Sequence, residues 1–197
     1  ALSQALTIQG NSVTGVSSDI WRAGIAVGTY LDGSNGVATS ATQSLSITGN
    51  TVTRIEDGDG ILVRTGLYSA TLNQSVFHID NNTVVSVGVL GIFVSNEVGA
   101  GATLTQGVSG SAATINDNVV SYASFGGIIV SNTVGGTSAS LAQVLAIDPN
   151  TVHDVGVVGI RVATGVYSGG TAVQQLAIAD NTVTDVQGRI TGGRYVG

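Results

Sequence analysis

The sequence contains no cysteine, no lysine and only one proline, and each absence narrows what the protein can be. Without cysteine there can be no disulfide bonds and no thiolate metal sites. Only six arginines supply positive charge against twelve acidic residues, so the chain is poorly suited to neutralising the phosphates of a nucleic acid. Nucleic acid is therefore not an expected partner.

Long apolar runs and aromatic side chains are also scarce. A membrane-spanning helix needs a stretch of about 20 apolar residues, and no stretch in this sequence approaches that length. The sequence therefore predicts no membrane span. The opening residues, ALSQALTIQG, have neither the basic start nor the apolar centre of a signal peptide, and the chain begins without Met. These features predict a processed chain or part of a longer one. The 197 residues are enough to bury a sizeable core.

What the chain does have is abundant glycine and a motif that returns six times. The stretch ITGNTVTRI, in which Asn50 follows Ile47 and precedes Val52, has five relatives along the chain. The six asparagines are separated by 39, 32, 36, 32 and 31 residues: Asn11, Asn50, Asn82, Asn118, Asn150 and Asn181. A second motif, G-I-x-V, follows in phase in five copies, as in GILV from Gly60, and decays to GRIT at Gly188 in the sixth. Self-similarity at this period predicts a solenoid or an array of repeats.

The pattern within each repeat has the period of two that is typical of strands. Segments such as LSITGN and GIRVATG alternate apolar and other residues, strand formers dominate, and no window shows a helical period. Each repeat can be read as three short strands with Gly, Asn, Asp or Ser at the corners between them. Hairpin signals are missing, which excludes the antiparallel blades of a propeller. The sequence therefore predicts one coil per repeat, with its strands stacked in parallel on the next coil.

These I-x-x-N-x-V and G-I-x-V units resemble those of the right-handed parallel β-helix family, which includes pectate lyases, polygalacturonases and phage tailspikes. The resemblance covers almost the whole chain and implies an all-β, right-handed parallel β-helix (β-solenoid) of about six rungs, with three short strands per rung. It implies little about activity, because this fold hosts many functions. We expect a single domain, 1–197, with repeats at about 4–42, 43–73, 74–105, 106–142, 143–173 and 174–197.

The repeated asparagines have a structural interpretation. Asn tolerates the left-handed backbone of a tight corner, and its amide can bond the equivalent Asn one rung away. We therefore predict an internal ladder of all six, without a role in ligand binding. A glutamine series with the parity of inward-facing residues predicts a second amide ladder, inside or at a corner, with a catalytic glutamine as the alternative: Gln74, Gln106, Gln143 and Gln175.

Carboxylates stacked on one face are the main candidates for catalysis. The residue four after the Asn is Asp154 and then Asp185 in the last two copies, about 4.8 Å apart by strand spacing. Each would raise the proton affinity of the other, and paired carboxylates suit glycosidic hydrolysis, with His153 and Arg161 on the same rung. An enzyme of polysaccharide lyase or hydrolase type is thus one hypothesis. Two solvated corner aspartates are the competing interpretation.

A second acidic cluster, EDGDG, supplies Glu56, Asp57 and Asp59 in a single corner loop. It is similar to a calcium loop but lacks the later bidentate Glu of the helix-loop-helix type. The sequence predicts no cofactor, with Ca²⁺ at these three residues as the alternative to a polar turn.

Two outward rows bear on binding. Thr or Ser follows the Asn in five copies, which suits ice or sugar binding but is also an ordinary soluble strand surface. The x of G-I-x-V places Leu62, Phe93 and Ile129 outward on consecutive rungs, so a loop or another chain is expected to cover them. The five tyrosines and the single Trp do not cluster on one repeat position, so stacking platforms for sugars are expected to be scarce.

These observations favour a non-enzymatic structural or adhesive module, outside the cell or on its surface, with a virion fibre as one setting. A carbohydrate- or ice-binding β-helix is a further alternative. Neither ALSQALTIQG nor GRITGGRYVG resembles a cap, and the first enters directly into the repeat pattern. We therefore predict stacking end to end, laterally, or on flanking solenoid sequence, with Arg189 and Arg194 meeting the acidic surface of the next copy.

Overall fold

A computed structural model of the chain describes residues 2–17, 23–36, 39–108 and 110–188. Strands are the only regular secondary structure in these ranges, so none of the described residues belongs to a helix that could cross a membrane. The strands are β1 (Leu2–Gln9), β2 (Ser12–Val16), β3 (Ala23–Asp32), β4 (Thr39–Thr48), β5 (Thr51–Ile55), β6 (Asp59–Tyr68), β7 (Ala70–Asp80), β8 (Thr83–Val87), β9 (Leu90–Val98), β10 (Thr103–Gln106), β11 (Ala113–Asn116), β12 (Asn118–Ala123), β13 (Gly126–Gly135), β14 (Ser140–Ile147), β15 (Asn150–Val155), β16 (Val158–Tyr167), β17 (Thr171–Ile178) and β18 (Thr182–Val186).

The strands form three parallel sheets, and successive turns of the chain contribute to each sheet in order. The first sheet contains β1, β4, β7, β10 with β11, β14 and β17; the second contains β2, β5, β8, β12, β15 and β18; the third contains β3, β6, β9, β13 and β16. This is the predicted all-β parallel solenoid with three strands per turn, and the described residues complete about five turns. The GRIT copy of the third-strand motif falls at the boundary of the described residues.

Equivalent residues of successive repeats stack directly on one another. In the second sheet, for example, Val52 pairs with Val84 of the next turn and Val84 with Val120. The first sheet alone departs from this register. It shifts between Thr42 and Ser44, and in the fourth turn its strand is divided into β10 and β11. Irregularities within the paired strands are therefore confined to the first sheet, while the strands of the second sheet pair without a shift.

The interior holds two separate apolar cores. The larger core is built from the Leu, Ile and Val rows of all three sheets, with Leu45, Ile47 and Phe77 fully buried. The smaller core lies between the first and third sheets and includes Leu67 and Leu104. Each fully buried side chain of this size stabilises the fold by about 1.5–3 kcal/mol relative to exposure. The layer that separates the two cores is polar.

Candidate functional site

The predicted asparagine ladder is confirmed along the described solenoid. Nδ2 of each Asn donates to Oδ1 of the Asn one turn later at 2.9–3.0 Å, from Asn11 through to Asn181. In the first four steps the same Oδ1 also accepts the backbone N–H of the preceding Asn. Because a main-chain N–H can only donate, it fixes which side-chain atom is the oxygen, and the ladder has one direction. The inner four asparagines are at most 3% exposed, so this row is structural.

The corner conformation differs from the sequence prediction. The ladder asparagines do not have the left-handed backbone conformation. In five of the six copies the preceding residue has it instead, with positive φ at Gly10, Gly49, Asn81, Asp117 and Asp180. In the fifth turn this position is occupied by Pro149, after a cis peptide bond. The Asn is released from the turn conformation, so its side chain can point inward and bond its neighbours.

A glutamine ladder runs parallel to the asparagine ladder inside the solenoid. Nε2 of each Gln donates to Oε1 of the Gln one turn earlier at 2.6–3.1 Å, through the series Gln4, Gln43, Gln74, Gln106, Gln143 and Gln174. The predicted last member, Gln175, was wrong by one residue, because Gln174 pairs with Gln143 and Gln175 with Val144. The four middle glutamines are buried, which removes them from contact with any substrate.

Side chains of the third sheet complete this polar layer. Gln43 Nε2 donates to Thr29 Oγ1 at 2.9 Å, and Asn132 Nδ2 donates to Gln143 Oε1 at 3.2 Å. Between them, Thr65 Oγ1 and Asn96 Oδ1 are buried without a partner among the described residues. The amide layer therefore divides the two apolar cores and is almost fully hydrogen-bonded.

The catalytic candidates are only partly brought together. His153 Nδ1 lies 2.8 Å from Asp154 Oδ2, and the strand register places Asp185 one turn beyond Asp154. Arg161 lies on the third sheet beside Ile129, and within the described ranges no ion pair joins it to either aspartate. Both aspartates have positive φ, as does every residue four after the Asn: Gly15, Arg54, Ser86, Tyr122, Asp154 and Asp185. Asp tolerates this left-handed corner, so the backbone gives a structural reason for the pair.

Asp59 of the acidic corner loop forms a hydrogen bond to the following turn of the solenoid. Asp59 Oδ1 accepts the backbone N–H of Leu90 at 3.1 Å. Burial raises the pKa of the Asp59 carboxyl, and the Leu90 hydrogen bond and the Arg64 charge oppose that effect. Glu56 and Asp57 are exposed. In the part of the chain that the structure describes, no three His, Asp or Glu side chains lie close enough to hold a metal ion.

The outward apolar row is covered within the chain. Leu62 is 4% and Ile129 is 8% exposed, and Phe93 is half-buried. A bare apolar patch for lateral association is therefore not present at these residues. Arg189 and Arg194, predicted to meet the next copy, lie outside the described residues.

The threonine row on the second sheet is uneven. On a neighbouring row, three residues after the Asn, Thr14 and Thr53 share a hydrogen bond between their hydroxyl groups at 3.0 Å. Farther along, exposed Val119 interrupts the row, and Tyr122 packs its ring against His153 with centroids 5.9 Å apart. The row of hydroxyl groups that follows the Asn is therefore interrupted in its fourth copy.

A polar cluster on the outer face of the first sheet was not predicted. Thr114 Oγ1 donates to the Asp80 carboxylate, at 2.9 and 2.8 Å from its two oxygens. Because the Thr114 hydroxyl proton is donated to Asp80, the same hydroxyl oxygen acts as the acceptor for His78 Nδ1 at 2.6 Å. Asp80 also accepts the backbone N–H of Asn116 at 2.9 Å, so the cluster ties two turns together.

A groove that combines aromatic and charged side chains lies on the outer face of the third sheet. It has a volume of about 580 Å³, and its walls include Tyr30, Arg64, Tyr68, Ser95 and Glu97. The register places Arg64 beside Ser95, and Glu97 beside Gly66. The rings of Tyr30 and Tyr68 lie 6.0 Å apart here, although the two tyrosines do not share a repeat position.

Both tyrosine rings lie over glycines of the next turn. A methyl group added at Gly66 would come within 3.0 Å of Tyr30 Cδ2, and one at Gly99 within 2.4 Å of Tyr68 Cδ1. With one side of its ring against the sheet, Tyr30 is still 65% exposed. The Tyr68 hydroxyl donates to Glu97 Oε1, and this bond raises the pKa of Tyr68 to about 12. Tyr68 therefore stays neutral and holds the carboxylate at the edge of the groove.

An alignment of the repeats does not place the two tyrosines of this groove at the same position. Tyr30 is equivalent to Gly66, and Tyr68 is equivalent to Asp32, so the two rings are offset by two residues along their strands. The signal that could have revealed them is a glycine opposite each tyrosine on the following turn. Comparison with protein-family models, with curated proteins and with solved structures finds no match to this chain, so its parallel β-solenoid fold rests on its own geometry.

Proposed function

We propose that this chain is a non-enzymatic structural and adhesive β-solenoid module that extends a fibre or surface protein by stacking end to end. The observation that carries the proposal is the apolar face of the last described turn. Leu176 and Ile178 occupy the rows of buried Leu145 and Ile147, yet they are 44% and 51% exposed. Exposed apolar groups of this kind favour a covering partner.

The edges of the terminal strands support the same proposal. Among the described residues, β1 and β2 pair only with β4 and β5, and β17 and β18 pair only with β14 and β15. Each therefore presents unpaired backbone groups along one side, which is a template for another parallel strand. A contact between two different ends does not close on itself, so it would propagate as a filament. The resemblance to β-helix proteins adds the proposal of an extracellular or virion setting.

Light scattering after size-exclusion chromatography tests this function. We expect the mass to rise with protein concentration and electron microscopy to show filaments. Leu176→Glu should abolish this assembly, because it places a charge in the apolar end face, while circular dichroism keeps the strand signal. Val173→Glu is the matched control, since Val173 lies on the same strand but pairs with outward Ala142. Monomers at every concentration would refute stacking.

A second candidate function, carbohydrate binding, is favoured by the groove on the third sheet. A tyrosine ring with one free face offers an apolar platform with a polar tip, which suits the C–H face of a sugar ring. Glu97, Arg64 and Ser95 surround it with charged and hydroxyl groups that suit sugar hydroxyls, as in small-molecule sites with few polar groups. Adhesion to a polysaccharide would then depend on this groove.

Saturation-transfer NMR against neutral and uronic-acid oligosaccharides tests the groove. For a sugar that binds, Tyr30→Ala should weaken binding about tenfold, the effect of roughly 1.4 kcal/mol. Tyr167→Ala is the control, because Tyr167 is also an exposed tyrosine of the third sheet but lies outside the groove. Equal loss in both variants, or no binding of any sugar tested, would contradict this function.

A further inference from the structure

The first described turn leaves one acceptor and one donor of the amide ladders unused. In the described residues nothing donates to Oδ1 of Asn11, whose Nδ2 already bonds Asn50 and the Gln9 carbonyl. Gln4 accepts from Gln43 through Oε1, and its Nε2 has no acceptor in the part of the chain that the structure describes. This end of the solenoid therefore presents an amide oxygen in one row and an amide N–H in the other.

The last described turn presents the opposite groups. Nδ2 of Asn181 donates to the carbonyls of Ile147 and Ala179, both at 2.7 Å, and the Ala179 bond takes the place where every earlier Asn donates to a further Asn. Oε1 of Gln174 accepts only from the Thr164 hydroxyl at 2.8 Å, although Oε1 of Gln143 accepts from the next Gln as well. In a stack, one N–H of Asn181 would leave the Ala179 carbonyl to donate onward, whereas Gln174 Oε1 can accept a second donor without losing its bond to Thr164.

We propose that the two ladders continue from copy to copy and impose one polarity on the stack. Asn181 would donate to Oδ1 of Asn11 in the next copy, and Gln4 of that copy would donate to Oε1 of Gln174. The inference rests on the proposed end-to-end stacking and adds its direction. A head-to-head contact would instead place oxygen against oxygen in the Asn row and N–H against N–H in the Gln row. Buried unpaired amides destabilise strongly, so head-to-tail stacking is selected.

The register of the junction follows from the spacing of the same rows. The residue numbers of the two end turns differ by 170 at six inward positions of the first and second sheets: Gln174 and Gln4, Leu176 and Leu6, Ile178 and Ile8, Asn181 and Asn11, Val183 and Val13, Val186 and Val16. In a single register, each of these residues therefore lies next to a residue of the same type in the other copy. A slip by one residue would turn every apolar side chain outward, so a single register is specified. This match identifies the occupant of the end face as a second copy of this chain.

Cysteine crosslinking tests both direction and register, and the chain has no native cysteine to interfere. Ser12 and Thr182 are exposed, outward-facing and paired across the proposed junction, where strand spacing sets their Cα atoms about 4.8 Å apart. This lies within the range of a disulfide. We expect Ser12→Cys mixed with Thr182→Cys to form disulfide dimers on mild oxidation. Neither variant alone should do so.

A shifted pair supplies the register control. Thr14→Cys mixed with Thr182→Cys places the Cα atoms about 8 Å apart, beyond disulfide range, so at least tenfold less dimer is expected. Dimers from either variant alone would overturn the head-to-tail direction, and equal yield from the shifted pair would overturn the register. Assembly seen by light scattering without any crosslink would also overturn the junction while leaving stacking itself intact. Absence of both assembly and crosslinks would refute the proposed function and this inference together.

Discussion

Replacing Asn82 by alanine is expected to lower the free energy of unfolding by about 2–4 kcal/mol. Oδ1 of Asn82 accepts both the backbone N–H and the Nδ2 of Asn50 at 3.0 Å, and its own Nδ2 donates to the Ile47 carbonyl at 2.9 Å. Alanine removes a hydrogen bond from each of these three buried groups, although Asn50 Nδ2 keeps its second bond, to the Ile8 carbonyl. An unsatisfied buried group costs about 1–3 kcal/mol, and partial relaxation keeps the sum below three full penalties. Urea unfolding followed by circular dichroism measures the change.

Asn11→Ala is the matched control for this prediction. Asn11 has the same position in its repeat but is exposed, and no described residue donates to its Oδ1. The loss there should stay below about 1 kcal/mol, because water replaces the missing amide. Equal effects at the two positions would contradict the interpretation of the row as a buried, mutually bonded ladder.

Replacing Gly91 by alanine is expected to destabilise the protein by about 2–4 kcal/mol for a different reason. A methyl group at Gly91 would lie 2.2 Å from Val120 Cγ1 and 2.7 Å from the carbonyl oxygen of Gly127. The backbone φ is not the cause, since Gly91 is not among the residues with positive φ. Overpacking of a core usually costs about 1–3 kcal/mol, and a clash that includes backbone cannot be relieved by a rotamer change.

Gly28→Ala separates this clash from the general effect of losing a glycine. Gly28 lies in the strand equivalent to that of Gly91, and an added methyl group there meets no atom within 4 Å. We expect its midpoint of thermal unfolding to stay within about 2 °C of the parent. A comparable loss of stability in Gly28→Ala would show that steric exclusion does not explain the first residue of G-I-x-V.

The solenoid and its ladder could be predicted because they depend on features that repeat in the sequence. Period-two alternation around Ile47 and Val52 indicates strands, and recurrence at about one turn of chain places each Asn above its equivalent. In a parallel stack, equivalent residues become neighbours without any knowledge of the rest of the structure. Periodicity alone therefore determined the sheet architecture and the Asn row.

The aromatic groove depended on tertiary structure. Tyr30 lies over its paired residue Gly66 and meets Tyr68 diagonally, two residues farther along the next strand. An alignment of equivalent positions does not represent such diagonal contacts. The same is true of the covered row, where Leu62 and Ile129 have outward parity yet are buried. Parity gives the face of a strand on which a side chain lies, whereas burial depends on what packs over that face.

The sequence by itself determined a coil of parallel strands, its repeating corner and the identity of the asparagine row, because these follow from local period and from the chemistry of one residue type. Only the tertiary structure decided that Gln174, and not Gln175, joins the glutamine row. It also decided that the left-handed residue precedes the Asn, and that the amide layer divides the interior into two cores. The physical reason is that register and corner geometry are set by contacts between turns, where a one-residue difference exchanges the inside of the solenoid for its surface.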